Sequence, residues 1–256
     1  TGEANIFRSS QAGCGVYKST DAGKSWLHMG LEDTYTIPRI LIHPKNPDIV
    51  YVASSGHEWT NNSERGVHKT TDGGKTWSKI LGVSNDAGAI DLVMDPTNSE
   101  VLYASTWQRI RYKWNDPRNK PDYTGSGLHK TVDGGQTWKQ INTGLPEPKF
   151  RGRIGIDIAR SNPKVLYAFV DNYEKVQTPE ATEEVDSYGR PSSGKIKGAT
   201  IFRSDDAGAT WKQVSSLVDS LKKYMENHSA TYGWVFGQIR VDPNDDGGGC
   251  APGLQQ

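Results

Sequence analysis

The chain has 256 residues, 30 of them basic and 30 acidic, so its formal net charge is zero and gives no global electrostatic case for nucleic acid as a partner. No run of about 18 apolar residues is present to cross a membrane as a helix. Two cysteines, Cys14 and Cys250, exclude a disulfide framework and a cysteine-rich zinc site, while 28 glycines, 8 tryptophans and 11 tyrosines suit tight turns and aromatic packing.

Taken in order, the chain opens at Thr1 without an initial Met, as expected of a mature piece or a fragment. The segment Thr1–Gly13 reads as a loop carrying Glu3. The short run Gly15-Val16-Tyr17-Lys18 then leads into the octet Ser19-Thr20-Asp21-Ala22-Gly23-Lys24-Ser25-Trp26. The pattern Ser/Thr-x-Asp-x-Gly-x-Ser/Thr-Trp returns at 70–77, 131–138 and 204–211, and such a repeat governs the reading of the fold. In each octet the Asp accepts N–H bonds within its own turn, the Gly supplies a positive φ, and the Trp packs into the adjoining sheet. The octet is therefore a structural hairpin turn.

A second unit alternates with it. Arg39–Ala53 holds two β-branched runs joined by a Pro/Asn turn. The pattern recurs from Ile90 to Ala104 and from Ile154 to Ala168, and its first half returns at Ile239–Pro243. One such hairpin plus one octet hairpin makes four antiparallel strands, the blade of a β-propeller. The expected architecture is all-β: an Asp-box propeller of about four blades over 1–243. Its parts are a remnant at 1–30, blades at about 37–80, 89–141 and 152–213, and a terminal inner strand at 235–242. An irregular tail covers 244–256. Two arrangements fit. The last strand enters the first hairpin and closes a small ring, or the blades are part of a larger propeller. Cys14 and Cys250 fall on the two sides of that seam, as a disulfide staple or as unrelated thiols. Val214–His228 is the one helical pattern, with Leu217, Leu221 and Tyr224 on one face.

The octet is the Asp-box, and the chain resembles the Asp-box (BNR-repeat) propellers of the sialidase, xyloglucanase and sortilin-like superfamily. Thr1-Gly2-Glu3-Ala4-Asn5, Ala89–Pro96 and Tyr232–Arg240 are similar to stretches of large secreted bacterial Asp-box glycosyl hydrolase-like proteins. The resemblance implies a secreted or periplasmic carbohydrate-active protein, a glycoside hydrolase acting on plant or microbial polysaccharide or oligosaccharide. The alternative it implies is a non-catalytic sortilin-like domain binding peptide or glycan. Ile37-Pro38-Arg39 inverts the Arg-Ile-Pro order of sialidases, which disfavours that activity.

With the octets on one face, the long loops gather on the other, where function concentrates. Glycoside hydrolysis needs two carboxyl groups, one protonated and one ionised. Glu58, between His57 and Trp59, is the first candidate acid; Asp86, Asp91 and Glu3 are candidates for base or nucleophile. His57, Trp59, Trp107, Arg109, Arg111, Trp114, Arg151, Arg153, Tyr232 and Trp234 are candidates for holding sugar by stacking and hydrogen bonds. Arg39, Asp91, Asp157 and Arg240 share the inner-strand face, either lining a polar channel or pairing between sheets. The histidines fall at no metal-ligand spacing, and His68 and His129 share one strand position that reads as packing. No cofactor is expected beyond a structural Ca2+ held by loop carboxylates. The expected partner is carbohydrate, with self-association through unclosed blade edges as a second route.

Overall fold

The computed structural model describes residues 2–3, 11–110, 122–175, 196–215, 237–247 and 249–250. Every regular element there except two short 3-10 turns is a strand. A two-stranded sheet pairs β1 (Tyr17–Lys18) with β2 (Leu27–His28). Three four-stranded antiparallel meanders follow. They are β3 (Arg39–Ile42), β4 (Val50–Ser54), β5 (Gly66–Thr70) and β6 (Ser78–Leu81); β7 (Ala87–Met94), β8 (Leu102–Gln108), β9 (Gly127–Thr131) and β10 (Lys139–Gln140); and β11 (Arg151–Ile158), β12 (Leu166–Lys175), β13 (Ile196–Ser204) and β14 (Lys212–Gln213). A last two-stranded sheet pairs β15 (Arg240–Val241) with β16 (Gly249–Cys250).

The all-β expectation holds, but the propeller does not form. The described strands make five separate sheets, and none closes on another. The physical reason lies in β15. Closure required this strand to enter the β1–β2 hairpin, but it pairs with β16 through Arg240–Cys250 and Val241–Gly249. Its Val241 N–H is held by the Asp157 carboxylate of β11 at 2.9 Å. Cys14 is an exposed free thiol, so no disulfide staples the seam. The helix expected at Val214–His228 lies outside the described residues except for Val214 and Ser215.

Neighbouring sheets share a core in chain order. Tyr51, Ala53, Val67 and Leu81 of the first meander pack with Ala89, Leu92, Leu102 and Ala104 of the second. Val93, Tyr103, Leu128 and Ile141 of the second pack with Ile154, Ile156, Leu166, Phe202 and Trp211 of the third. β7 and β11 therefore have neighbours on both faces, and seven of eight residues in each are buried. This is why β7 reads as a continuous apolar run broken only by Asp91, and β11 as one from Ile154 broken only by Asp157.

The octets fold as turns, and each closes the same way. In the third, both carboxylate oxygens of Asp133 accept from Thr137: its N–H at 2.9 Å and its hydroxyl at 2.5 Å. The Thr131 hydroxyl donates to Asp133 at 2.7 Å and accepts the Gly135 N–H at 3.0 Å. Gly134 and Gly135 sit at φ of +65° and +93°. A side chain at Gly135 would place Cβ 2.3 Å from Ile80 Cδ1, so the glycine also allows close approach to the preceding hairpin.

The octets also lock one sheet to the next. Tyr51 and Lys69 of the first meander donate to the Gly134 carbonyl at 3.3 and 2.8 Å. Tyr103 and Lys130 of the second donate to the Ala207 carbonyl at 3.3 and 2.9 Å. Trp77 Nε1 donates to the Met29 carbonyl at 2.7 Å, and Trp211 Nε1 to the Ile141 carbonyl at 2.8 Å. Trp26 departs from the expectation for these tryptophans, being 60% exposed.

Donors from the serine or threonine hydroxyls and N–H groups of the same turn hold the Asp21 and Asp206 carboxyls down to about 2, and those of Asp72 and Asp133 below the usual carboxylate range. A carboxyl depressed in the folded state stabilises fully above its unfolded value of about 4, and that contribution is lost as pH falls through the folded value. Thermal unfolding followed by circular dichroism should therefore show a Tm falling from about pH 4 downward. Asp133→Asn should lower Tm at neutral pH and make the acid fall shallower.

Candidate functional site

The loop face is built where the β4–β5 loop meets the ends of β7 and β8. Gly88 lets β7 run tight against that loop, since a Cβ there would lie 2.6 Å from Ser55 Cα. The close approach brings four predicted residues together. Glu58, with a side chain 10% exposed, is paired with Arg109 Nη2 at 3.1 Å. The Arg109 backbone N–H donates to the Asp86 carbonyl at 2.8 Å. The same guanidinium stacks on Trp107, 4.6 Å from the ring centre.

Asp86 is held on both oxygens. Ser84 Oγ donates to one at 2.5 Å and Gln108 Nε2 to the other at 2.9 Å. Partial burial works to raise its pKa, but the Ser84 and Gln108 hydrogen bonds outweigh it and the carboxyl is lowered. Asp86 is thus ionised at neutral pH. Glu58 faces a guanidinium that stabilises the charged carboxylate, an arrangement suited to a base and not to a resting proton donor.

Arg65 organises the loop, and the sequence reading missed it. It is 3% exposed and donates to the carbonyls of His57, Thr60 at 3.3 Å, and Asp86 at 3.3 Å. Burial pulls its guanidinium down to about 10, against the favourable charges of Asp86 and Tyr123. A signal existed: Arg65 is the only lysine or arginine in the stretch Ser54–Arg65, whose buried carbonyls need a donor. His57 stacks on Tyr35, with ring centres 3.6 Å apart, and its ring nitrogen lies 3.1 Å from Thr60 Oγ1. Burial and then the Arg65 charge lower the His57 pKa, so it is neutral near pH 7.

The other candidates divide by position. Trp59 is 49% exposed beside Glu58. Trp107, Arg109, Arg151 and Arg153 are 4%, 3%, 9% and 3% exposed, so they support the loops from beneath and do not face a ligand. Arg151 donates to the Pro146 carbonyl at 2.6 Å and the Ser126 carbonyl at 3.4 Å. Glu3 is exposed and bonded to its own loop, its N–H donating to Gln11 O at 2.9 Å. Arg111, Trp114, Tyr232 and Trp234 lie outside the described residues.

Asp91 is spent on a brace between sheets. It accepts from Arg39 Nε and Nη2 at 2.9 Å each, and from the N–H groups of Leu92 at 2.9 Å and Ile156 at 3.2 Å. Arg153, buried and lowered to about 10 by desolvation, is kept charged by Asp91 and Asp171. Both readings of the inner-strand charges find support: Arg39 and Asp91 pair between sheets, and Arg39, Asp157 and Arg240 line a cavity of about 630 Å³ between the inner strands. His68 and His129 are 2% and 5% exposed, the packing positions that their shared register suggested.

Removing one partner of a buried ion pair strands the other charge. Asp91→Ala should therefore lower the urea unfolding free energy by about 3–5 kcal/mol, because Arg39 and Arg153 lose their counter-charge. Glu3→Ala, on an exposed loop, should stay within about 0.5 kcal/mol of wild type.

Comparison with known proteins points in a consistent direction. The chain is 24% identical over 216 residues to a xyloglucanase of Acetivibrio thermocellus, across 78% of this chain and 23% of that protein. It is 24% identical over 215 residues to a xyloglucanase of a Paenibacillus species, across 78% of this chain and 19% of that protein. In solved structures, its fold matches a GH74 enzyme of Niastella koreensis with a TM-score of 0.57 at 18% identity, covering 91% of this chain and 31% of the other. It matches the GH74 xyloglucanase of Xanthomonas campestris with a TM-score of 0.57 at 16% identity, covering 94% and 32%. The chain thus spans less than a quarter of the length of these curated relatives. The family model described as sortilin, neurotensin receptor 3, matches residues 14–188, more than half of the chain, and this β-rich protein belongs to the Sortilin-Vps10 family.

Proposed function

We propose that this chain is part of a carbohydrate-active hydrolase that cleaves glycosidic bonds in a branched polysaccharide of the xyloglucan kind, on the face formed by the β4–β5 loop and the ends of β7 and β8. The observation that carries this reading is the convergence of Glu58 and Asp86 through Arg109, next to the exposed Trp59. It is supported by likeness to xyloglucanases across 78% of the chain. Trp59 offers an apolar face for a pyranose ring.

Asp86, already ionised, takes the proton of the attacking water or attacks the anomeric carbon itself. Glu58 is the second carboxyl group. When sugar seats on the loop and excludes water, Glu58 takes up a proton from solvent and gives it to the departing glycosidic oxygen, while the buried Arg109 stays in place beneath it. A polymer of this class is met outside the cytoplasm, in keeping with a secreted or periplasmic protein. Among the described residues no helix is long and apolar enough to cross a membrane.

A second reading, a non-catalytic sortilin-like domain binding glycan or peptide, draws on a specific observation. Glu58, Asp86 and Asp91 are each held by strong donors. A polysaccharide-panel hydrolysis assay, paired with affinity electrophoresis, separates the two. The enzyme reading expects turnover on at least one β-glucan, with kcat reduced roughly a hundredfold or more in Asp86→Asn and in Glu58→Gln. No turnover on any polymer, with retardation that Trp59→Ala abolishes, would establish the binder instead.

A further inference from the structure

Asp86 lies just ahead of β7, in a tight turn closed by the Ala87 N–H on the Ser84 carbonyl at 3.3 Å. Ala87 pairs across the sheet with Gln108, the last residue of β8, so the two side chains share a face. Gln108 Nε2 donates to Asp86 Oδ2 at 2.9 Å, and Ser84 Oγ to Asp86 Oδ1 at 2.5 Å. The Gln108 amide is held at its other end too, where Oε1 accepts the Gly125 N–H at 2.6 Å. The backbone that offers this N–H is fixed in turn. Thr106 Oγ1 donates to the Gly125 carbonyl at 2.8 Å, and Ser126 Oγ accepts the Gln108 N–H at 3.0 Å. A Cβ at Gly125 would lie 3.0 Å from both Gln108 Oε1 and Ala87 Cβ, so the lack of a side chain lets the segment come this close.

This relay has a direction. The Gly125 N–H can only donate, so it selects the amide oxygen and leaves the amide nitrogen facing Asp86. That nitrogen offers protons and accepts none. Oδ2 is therefore satisfied as part of a carboxylate, and a proton of its own would meet the amide protons. Oδ1 is different. Its partner is the hydroxyl of Ser84, an exposed residue, and a hydroxyl turns between donating and accepting. Burial of Asp86 favours the neutral acid, and the Ser84 and Gln108 hydrogen bonds, with the Arg65 charge from the β4–β5 loop, overcome it. Glu58, the other carboxyl group of this face, is paired with Arg109.

We propose that Gln108 is a positioning residue of the site: fixed by Gly125, it keeps Asp86 Oδ2 free of a proton and makes Oδ1 the reacting oxygen. The inference rests on the reading of this face as a hydrolase site with Asp86 as its base or nucleophile. As a base, Oδ1 takes a proton from the attacking water while the water oxygen bonds to the anomeric carbon. The bond from that carbon to the glycosidic oxygen breaks, and the leaving oxygen takes its proton from Glu58. Gln108 acts in this step through Asp86.

Two near-isosteric variants of the full chain test this. Gln108→Glu keeps an acceptor for the Gly125 N–H but sets a second carboxylate against Asp86 Oδ2, and Gln108→Met removes the donor. The Asp86 carboxyl carbon is followed by NMR in aspartate-labelled protein, its signal identified by its loss in Asp86→Asn. In the wild type it should titrate below the ordinary aspartate value of about 3.9. Gln108→Met should raise that midpoint by about one pH unit, and Gln108→Glu should raise it further, because two facing carboxylates share a proton. In the polysaccharide assay the acid limb of kcat should move up by the same shift in each variant, with KM little changed. A packing role alone would move neither the midpoint nor the limb. Should Gln108→Glu fail to fold, Gln108→Met carries the same comparison. An Asp86 midpoint unmoved in a folded variant, or an acid limb that stays while the midpoint moves, would overturn the role of Gln108. A wild type without turnover on any polymer would overturn the hydrolase reading and the inference with it, and the titration tells the two failures apart.

Discussion

The structure depends on a small hydrogen-bonded clamp: a backbone carbonyl, presented by an octet turn, held between a tyrosine hydroxyl and a lysine ammonium of the preceding sheet. Gly134 is gripped by Tyr51 and Lys69, and Ala207 by Tyr103 and Lys130. A carbonyl can be aimed this way only if the turn itself is rigid. The Asp at its centre supplies the rigidity by collecting hydroxyl and N–H donors from its own octet. The apolar core between sheets is non-directional and fixes no register by itself. The clamp and the Trp contacts choose which rows of side chains meet.

Much of this was legible in the residues. The period of the octet, its Asp, its glycines and its flanking β-branched runs gave the strand order of the three complete meanders. The buried His68 and His129 followed from their shared register. Closure was not legible. It is a question of which partner β15 takes, and a two-residue strand carries no pattern that distinguishes β16 from the β1–β2 hairpin. Trp26 shows the same limit: its octet has the same sequence form as the others, but its burial depends on a neighbour that the motif does not specify.

The site was legible in position and much less so in role. Glu58, Asp86 and Arg109 do meet on the loop face, as the clustering of long loops there implied. Their exposures were not available from type alone. Arginine and tryptophan serve equally to hold a sugar and to satisfy carbonyls under a loop, and Arg109, Arg151, Arg153 and Trp107 do the latter. Arg65 went unnoticed because its work is done through backbone carbonyls, so its one signal was being the sole lysine or arginine of its loop. Asp91 was among the candidates for base or nucleophile and also one of the inner-strand charges. Its donors, Arg39 and Ile156 N–H, come from two other sheets and appear only once those sheets are stacked.

The account assigns cohesion to the octet face and ligand contact to the opposite one. Hydrogen–deuterium exchange with and without a xyloglucan oligosaccharide tests that division directly. New protection is expected in 55–65 and 84–88, around Glu58, Trp59 and Asp86, with the octets at 70–77, 131–138 and 204–211 already protected and unchanged by sugar. Protection arising on the octets while the β4–β5 loop exchanges as before would contradict it.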